Sequence, residues 1–124
     1  MTIIRAAHAP SFELPGVRFT GLASPTRGSV GLCTWRISVD AGLVSPAPHR
    51  LDEDEIFMVT AGAIRVTPDG PEVHAGDAVV VPAGSPIQLV NPTDTAAEAF
   101  VAIRAGFSAV MADGTTIDSP PWAR

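Results

Sequence analysis

Few side chains in this sequence could do chemistry. The chain has three histidines, at positions 8, 49 and 74, and an acidic run at residues 52–55. Imidazoles and carboxylates can bind transition metals or transfer protons to and from a substrate. Asp52, Glu53 and Asp54 lie in a loop that leads into a strand, so we expect water to solvate them. Glu55 is the member of the run with a reason to point inward.

Cys33 is the single cysteine of the chain. It has no partner for an intrachain disulfide, which suits a reducing compartment. We expect Cys33 to pack as a small hydrophobic residue.

Short strands must position these side chains. Twelve prolines and eleven glycines punctuate the sequence at the rhythm of strands joined by turns. Residues 33–39 and 63–67 alternate apolar and polar types, which is typical of a strand with one buried face. Residues 78–81 form a continuous apolar run typical of a well-buried strand, and 86–90 and 98–103 supply two more. The pattern predicts an all-β protein of roughly eight strands, without a long helix.

The composition predicts one folded domain. The chain has 124 residues, of which 46% are hydrophobic and 17% charged, and no linker interrupts it. We place the regular core at about 29–105, between an N-terminal arm (1–18) and a C-terminal tail (106–124). Trp122 in the tail should pack on something, either capping the barrel or crossing a dimer interface.

Charge argues against two classes of partner. The net charge is −5, and the eight basic residues are scattered arginines. Without a basic stripe, nucleic acid is an unfavourable partner, and no polybasic run favours a membrane. No signal peptide or apolar segment of membrane-spanning length is visible, so we expect a cytoplasmic protein.

Two segments carry a family resemblance. Residues 42–62 read GLVSPAPHRLDEDEIFMVTAG, and residues 76–91 read GDAVVVPAGSPIQLVN. The first resembles the first cupin motif, with His49, Glu55 and Gly62 in register. The second resembles the second cupin motif, with Pro82 and Asn91 among its matching positions. Two independent spacings in the right order imply a small single-domain cupin, an antiparallel jelly-roll β-barrel.

The resemblance also implies a metal site, which this sequence leaves incomplete. The resemblance implies a site built from three histidines and one glutamate on neighbouring strands. Such a site holds iron, manganese, zinc, nickel or copper. His49 and Glu55 are kept, but Leu51 and Ile87 stand where the other two histidines belong. Catalytic zinc sites normally use three protein ligands, so we expect no tightly bound metal. His74 lies outside the pattern, and an N-terminal histidine could contribute only if the arm covers the barrel mouth.

The same positions predict a binding pocket. Four apolar side chains should form its wall: Leu51, Phe57, Ile87 and Leu89. His49 and Glu55 would form an acid/base pair within it, or would be remnants bonded to each other or to water. Arg36 could clamp a carboxylate if its strand face lines the cavity.

The leading hypothesis is a cupin that binds a small, largely apolar molecule and catalyses isomerisation, cyclisation or proton transfer. One alternative is a dioxygenase-like metalloenzyme that uses a reduced ligand set of His49 and Glu55. Another alternative is a non-catalytic ligand-binding or sensor domain. We expect a homodimer that pairs through strand edges.

Overall fold

The computed structural model describes all residues from 1 to 124 and is built almost entirely from antiparallel strands. The first six strands are β1 (Ser11–Leu14), β2 (Val17–Gly21), β3 (Leu32–Val39), β4 (His49–Leu51), β5 (Glu55–Ala61) and β6 (Ala63–Ile64). The other six are β7 (Val73–His74), β8 (Ala78–Val81), β9 (Pro86–Ile87), β10 (Ala97–Arg104), β11 (Ala109–Val110) and β12 (Thr116–Ile117). The all-β prediction is confirmed, with more and shorter strands than expected.

Helical structure is limited to three short 3₁₀ turns, at Ala6–His8, Pro25–Arg27 and Pro121–Ala123. None of them has the length and apolar character that crossing a bilayer requires.

Two sheets share one core. The larger sheet has the order β1-β2-β3-β10-β5-β8, and the smaller has the order β12-β11-β4-β9. The hairpin of β6 and β7 forms a separate pair. Inner side chains of both sheets belong to one hydrophobic cluster, which includes Trp35, Val101 and Phe57 from the larger sheet and Leu51 and Ile87 from the smaller. This arrangement places the inner faces of β4 and β5 toward the same interior.

Period-two alternation decides which side chains enter the core. Along β3 the buried residues are Cys33, Trp35, Ile37 and Val39, and their neighbours are exposed or half-buried. β10 repeats this pattern beside β3, with Ala97 opposite Val39 and Arg104 opposite Leu32. The sequence alternation therefore predicts the inner face of these central strands correctly.

Three strand predictions need correction. The strand expected over 63–67 ends at Ile64, since Arg65 forms only an isolated bridge with Val90. The same bridge replaces the end of the strand expected over 86–90, which is regular only at Pro86–Ile87. The run at 78–81 forms β8, but β8 is an edge strand and not a well-buried one, because Val80 is 57% exposed.

Both chain ends are more regular than the sequence suggests. Ser11–Leu14 forms the edge strand of the larger sheet within the expected N-terminal arm. At the other end, the Trp122 ring stacks on Phe19 with ring centroids 3.8 Å apart. Arg27 Nη2 donates a 2.6 Å hydrogen bond to the Trp122 carbonyl, and the Cys33 thiol donates one to the Ala123 carbonyl. Trp122 thus caps its own sheet.

Candidate functional site

Glu55 and His49 come from different sheets. Glu55 begins β5 in the larger sheet, and His49 begins β4 in the smaller one. The resemblance placed the glutamate on the strand next to the histidine, but β4 pairs with β9 and β11. The two side chains therefore belong to facing layers of the fold.

The acidic loop, residues 52–54, carries the chain from β4 in the smaller sheet to β5 in the larger one, and hydrogen bonds hold it in place. Asp52 Oδ1 accepts a 2.7 Å hydrogen bond from the Ser108 backbone N–H, and Asp54 Oδ1 accepts a 2.9 Å bond from the Ala83 N–H. Glu53 lies 3.9 Å from Arg104. Asp52 and Asp54 are exposed to solvent, as expected, and they also anchor the loop to distant backbone, while Glu53 is half-buried.

Glu55 is a buried carboxyl in apolar surroundings. It is 5% exposed, and its cross-strand neighbours are Val81 on β8 and Ile103 on β10, both buried. Its Oε2 atom has no hydrogen-bond partner. Burial disfavours the carboxylate and raises the pKa of Glu55 to about 8. Glu55 is therefore mostly a neutral acid at pH 7.

His49 is half-buried at the start of β4, directly opposite Ile87 on β9. Desolvation lowers the pKa of its imidazole below the usual value, so the ring is mostly neutral at pH 7. No hydrogen bond or ion pair joins His49 to Glu55, and the Oε2 atom of Glu55 has no partner at all. At pH 7 the site thus holds a protonated carboxylic acid, Glu55, and an unprotonated imidazole, His49, with no proton shared between them.

The four predicted wall residues are all buried in the interior. Leu51, Phe57, Ile87 and Leu89 are 6%, 2%, 1% and 9% exposed and belong to the common core cluster. Leu51 follows His49 by two positions on β4, and Phe57 follows Glu55 by two on β5, so each pair shares a strand face. The wall is closely packed in this conformation.

The structure does not bring Arg36 to this wall. Arg36 is exposed and lies between the buried Trp35 and Ile37 on β3. Strand alternation therefore points its guanidinium to the outside of the larger sheet. The prediction that Arg36 clamps a carboxylate in the cavity is therefore wrong.

The other histidines also lie away from Glu55. His8 lines a surface cleft of about 470 Å³ formed with the N-terminal arm and the turn at Pro25–Arg27. His74 is exposed on β7, where its Nε2 lies 3.1 Å from Glu72. A second cleft of about 160 Å³ includes Glu13 and Asp40 at the opposite edge of the larger sheet from β8.

The side chains present do not fit the metal that the cupin resemblance implies. No three histidine, cysteine, aspartate or glutamate side chains converge in a way that could hold an ion. At the two positions where the motifs would supply further histidines, Leu51 and Ile87 are packed aliphatic side chains.

A model of the cupin-domain family matches residues 35–103, more than half of the chain. The protein belongs to this family. The matched segment includes both motifs and the strands β4, β5 and β9 that carry the candidate site. The fold expected from the motif spacings is therefore confirmed.

Solved structures from several organisms share the fold. The polyketide cyclase RemF from Streptomyces resistomycificus is 18% identical, with a TM-score of 0.73, covering 84% of this chain and 79% of that one. KdgF from a Halomonas species is 21% identical, with a TM-score of 0.68 and coverages of 84% and 92%. A cupin sugar phosphate isomerase from Silicibacter pomeroyi is 23% identical, with a TM-score of 0.65 and coverages of 86% and 78%. A search of curated proteins finds no match to this sequence.

Proposed function

We propose that this protein binds a small, largely apolar molecule between its two sheets and transfers protons on it with Glu55 and His49. The observation that carries the proposal is the Glu55 carboxyl on the inner face of β5, which is buried with its Oε2 atom unpartnered. An unsatisfied buried polar group costs about 1–3 kcal/mol. A ligand oxygen placed beside Glu55 would recover that cost.

The chemistry of the surroundings narrows the ligand class. The nearest cross-strand neighbours of Glu55 are Val81 and Ile103, and the predicted wall is entirely apolar. Such a lining disfavours a charged substrate, since no buried cation or anion is present to pair with it. An uncharged ring or short alkyl chain that carries a carbonyl oxygen satisfies both the apolar wall and the carboxyl.

The two neutral groups suit proton transfer in one cycle. Protonated Glu55 donates its hydrogen to the carbonyl oxygen, while neutral His49 accepts a proton from the adjacent carbon. The product is an enol, with Glu55 as carboxylate and His49 as imidazolium. The His49 imidazolium then delivers its proton to the far carbon of a conjugated enol, and the enol hydroxyl returns its proton to the Glu55 carboxylate, which completes an isomerisation; return of the proton to the original carbon gives exchange only.

The packed wall sets a condition for entry. Because Leu51, Phe57, Ile87 and Leu89 are all more than nine-tenths buried, a ligand enters only when some of these side chains move apart. His49 is the most accessible member of the site, so the approach lies on its side. Two of the structurally similar proteins are named for a cyclase and an isomerase activity, which supports this reaction class.

The proposal is tested with two uncharged bicyclic ketones, 2-tetralone and 1-indanone, as probes. Amide chemical shifts of the ¹⁵N-labelled protein should move around Leu51 and Phe57, and exchange of the ketone α-protons with D₂O should accelerate. Glu55→Gln and His49→Ala should abolish the acceleration. The matched control is Glu53→Gln, which makes the same change in the acidic loop.

The outcomes separate the competing functions. Shift changes at the wall without accelerated exchange would indicate binding without turnover, as in a sensor domain. If neither probe moves any wall resonance at millimolar concentration, or if the Glu55 and His49 variants behave like the parent, the proposed site is wrong.

A further inference from the structure

A surface cleft lies between the N-terminal arm and the turn that joins β2 to β3. Its volume is about 470 Å³, and small-molecule sites in proteins have volumes of roughly 300–1,000 Å³. Residues 2–5, 8–10 and 26–28 line this cleft, which we call the N-terminal cleft. It shares no residue with the interior site around Glu55 and His49, so a ligand bound there would be a second one.

The side chains of the N-terminal cleft carry positive charge, although the protein as a whole has a net charge of −5. Arg5, His8 and Arg27 line the cleft, and no aspartate or glutamate does. The five ion pairs of the structure involve none of these three side chains. Because arginine is always protonated in proteins, the cleft holds two positive charges without a counterion from the chain.

Arg27 is held in a fixed position in the wall of the cleft. Its Nε and Nη2 atoms donate 2.6 Å hydrogen bonds to the carbonyls of Leu22 and Trp122. The guanidinium also lies over Gly21, where an added Cβ would come within 2.6 Å of Nη2. A guanidinium has five N–H donors, so both donors on Nη1 and one on Nη2 remain for a ligand. Because this half-buried side chain is already ordered, binding an anion costs little further side-chain entropy.

Apolar side chains also line the cleft. Ile3 and Ile4 both belong to the lining, and Ile3 is 58% exposed. The arm that carries them approaches the turn closely at Gly28, where φ is +96° and an added Cβ would lie 3.0 Å from Thr2 Oγ1. Exposed isoleucines beside two unpaired cations favour a ligand that has both an anionic group and an apolar body.

We propose that the N-terminal cleft binds a small organic phosphate monoester, with the phosphate on Arg5 and Arg27 and the organic group on Ile3 and Ile4. A phosphate monoester carries a charge of about −1.5 to −2 at pH 7, which matches the two arginine charges. The planar fork of arginine binds phosphate oxygens through two parallel hydrogen bonds. A single phosphate fits better than a nucleic acid, because the other arginines are scattered and form no basic stripe.

Isothermal titration calorimetry of the full chain with phenyl phosphate, at fixed ionic strength, tests the proposal. Phenyl phosphate should bind with a dissociation constant below about 1 mM. Phenol lacks the phosphate, inorganic phosphate lacks the ring, and benzoate carries a single charge, so each should bind at least about tenfold more weakly. In the ¹⁵N-labelled protein, phenyl phosphate should move the amide shifts of Thr2 and Gly28 and leave those of Leu51 and Phe57 unchanged.

Substitutions of the two arginines provide the second test. Arg5→Gln should raise the dissociation constant of phenyl phosphate at least about tenfold, and it should fold, since Arg5 is exposed and forms no ion pair. The matched control is Arg36→Gln, which removes an exposed arginine without an ion pair from β3 and should leave the constant unchanged. Arg27→Lys keeps the charge but loses the fork, so it should also weaken binding. Circular dichroism and a thermal melt check that each variant is folded.

Three kinds of result would overturn the proposal. The first is a dissociation constant for phenyl phosphate above about 1 mM, or equally tight binding of phenol, inorganic phosphate or benzoate. The second is a folded Arg5→Gln or Arg27→Lys variant that binds phenyl phosphate as tightly as Arg36→Gln does. The third is a set of shift changes confined to Leu51 and Phe57, which would assign the binding to the interior site instead.

Discussion

Ile87 lies directly opposite His49 in the antiparallel pairing of β4 with β9. Directly opposed residues on one sheet face have Cβ atoms about 4.5–5.5 Å apart. The aliphatic side chain of Ile87, which is 1% exposed, therefore occupies space within reach of the imidazole. The smaller sheet contributes one imidazole and two packed aliphatic residues, Ile87 and Leu51, to the interior.

This relationship predicts that a metal site can be restored. Leu51→His combined with Ile87→His would place two further imidazoles on the face that carries His49, across from Glu55. We expect the double variant to bind Co²⁺ with the visible absorption bands of a coordinated ion, and to bind it at least about tenfold more tightly than the parent protein does.

Arg50→His is the matched control, because Arg50 lies on the same strand but is exposed on the outer face. It should leave Co²⁺ binding unchanged. If the double variant binds no better than this control, our placement of Leu51 and Ile87 toward a common point with Glu55 is wrong.

Stability should fall as pH rises because of Glu55. Below its ordinary pKa of 4.5 both the folded and the unfolded states hold the proton. Between 4.5 and about 8 the unfolded state loses it while the folded state keeps it, so the free energy of unfolding decreases with pH. The total decrease from this group is on the order of 5 kcal/mol, and it levels off above the folded-state pKa.

Urea unfolding of the parent and of Glu55→Gln from pH 4 to 9 measures this effect. The glutamine does not titrate, so the difference between the two proteins should change steadily with pH. Glu53→Gln should instead follow the parent curve, since Glu53 lies in the loop beside Arg104. A parent protein whose stability rises from pH 5 to 8 relative to Glu55→Gln would contradict the burial of the carboxyl.

Removing the ring of Trp122 should destabilise the fold. The ring stacks on Phe19 with an interplanar angle of 11° and is half-buried, so Trp122→Ala should cost about 2 kcal/mol, less than for a fully buried tryptophan. Trp122→Phe, which keeps an aromatic face on Phe19, should lose less than half of that. Thermal melts at one pH would check both values, and a Trp122→Ala melt equal to that of the parent would show that the stack contributes nothing.

Two motif glycines should respond differently to alanine. Gly62 has a φ of +69°, and an added Cβ would lie 2.9 Å from the Ala96 carbonyl oxygen. Gly76 has a φ of +93°, but an added Cβ would meet nothing within 4 Å. Gly76→Ala should cost about 1–2 kcal/mol from backbone strain alone, and Gly62→Ala at least about 1 kcal/mol more from the steric clash. Equal losses in urea unfolding would contradict this account.

Local patterns predicted the parts of the fold that depend on neighbouring residues. Alternation places Glu55 and Phe57 on the inner face of β5, and Gly62, which the motif spacing matches, has a positive φ between β5 and β6. These features follow from φ, ψ and side-chain direction within one strand or turn. Such constraints can be read directly from consecutive residues.

Features that depend on distant contacts could not be read in this way. Asp52 and Asp54 resemble any exposed loop carboxylates until the fold brings the N–H groups of Ser108 and Ala83 beside them. Alternation places Arg36 on the polar face of β3, but whether a polar side chain on that strand reaches the ligand site is decided by how the sheets pack, which the sequence does not show. β8 has the composition of a central strand, and only the sheet order shows that it is an edge.

The pairing of β3 with β10 has a consequence for how the chain folds. These strands lie side by side at the centre of the larger sheet, yet the whole segment 40–96 lies between them in the chain. Pairing them requires closing a long loop, which costs chain entropy before burial of the core stabilises the pair. Proteins dominated by such non-local contacts fold in about milliseconds to seconds. During synthesis β3 emerges well before β10, so the apolar face of β3 stays unpaired and exposed until β10 has been made.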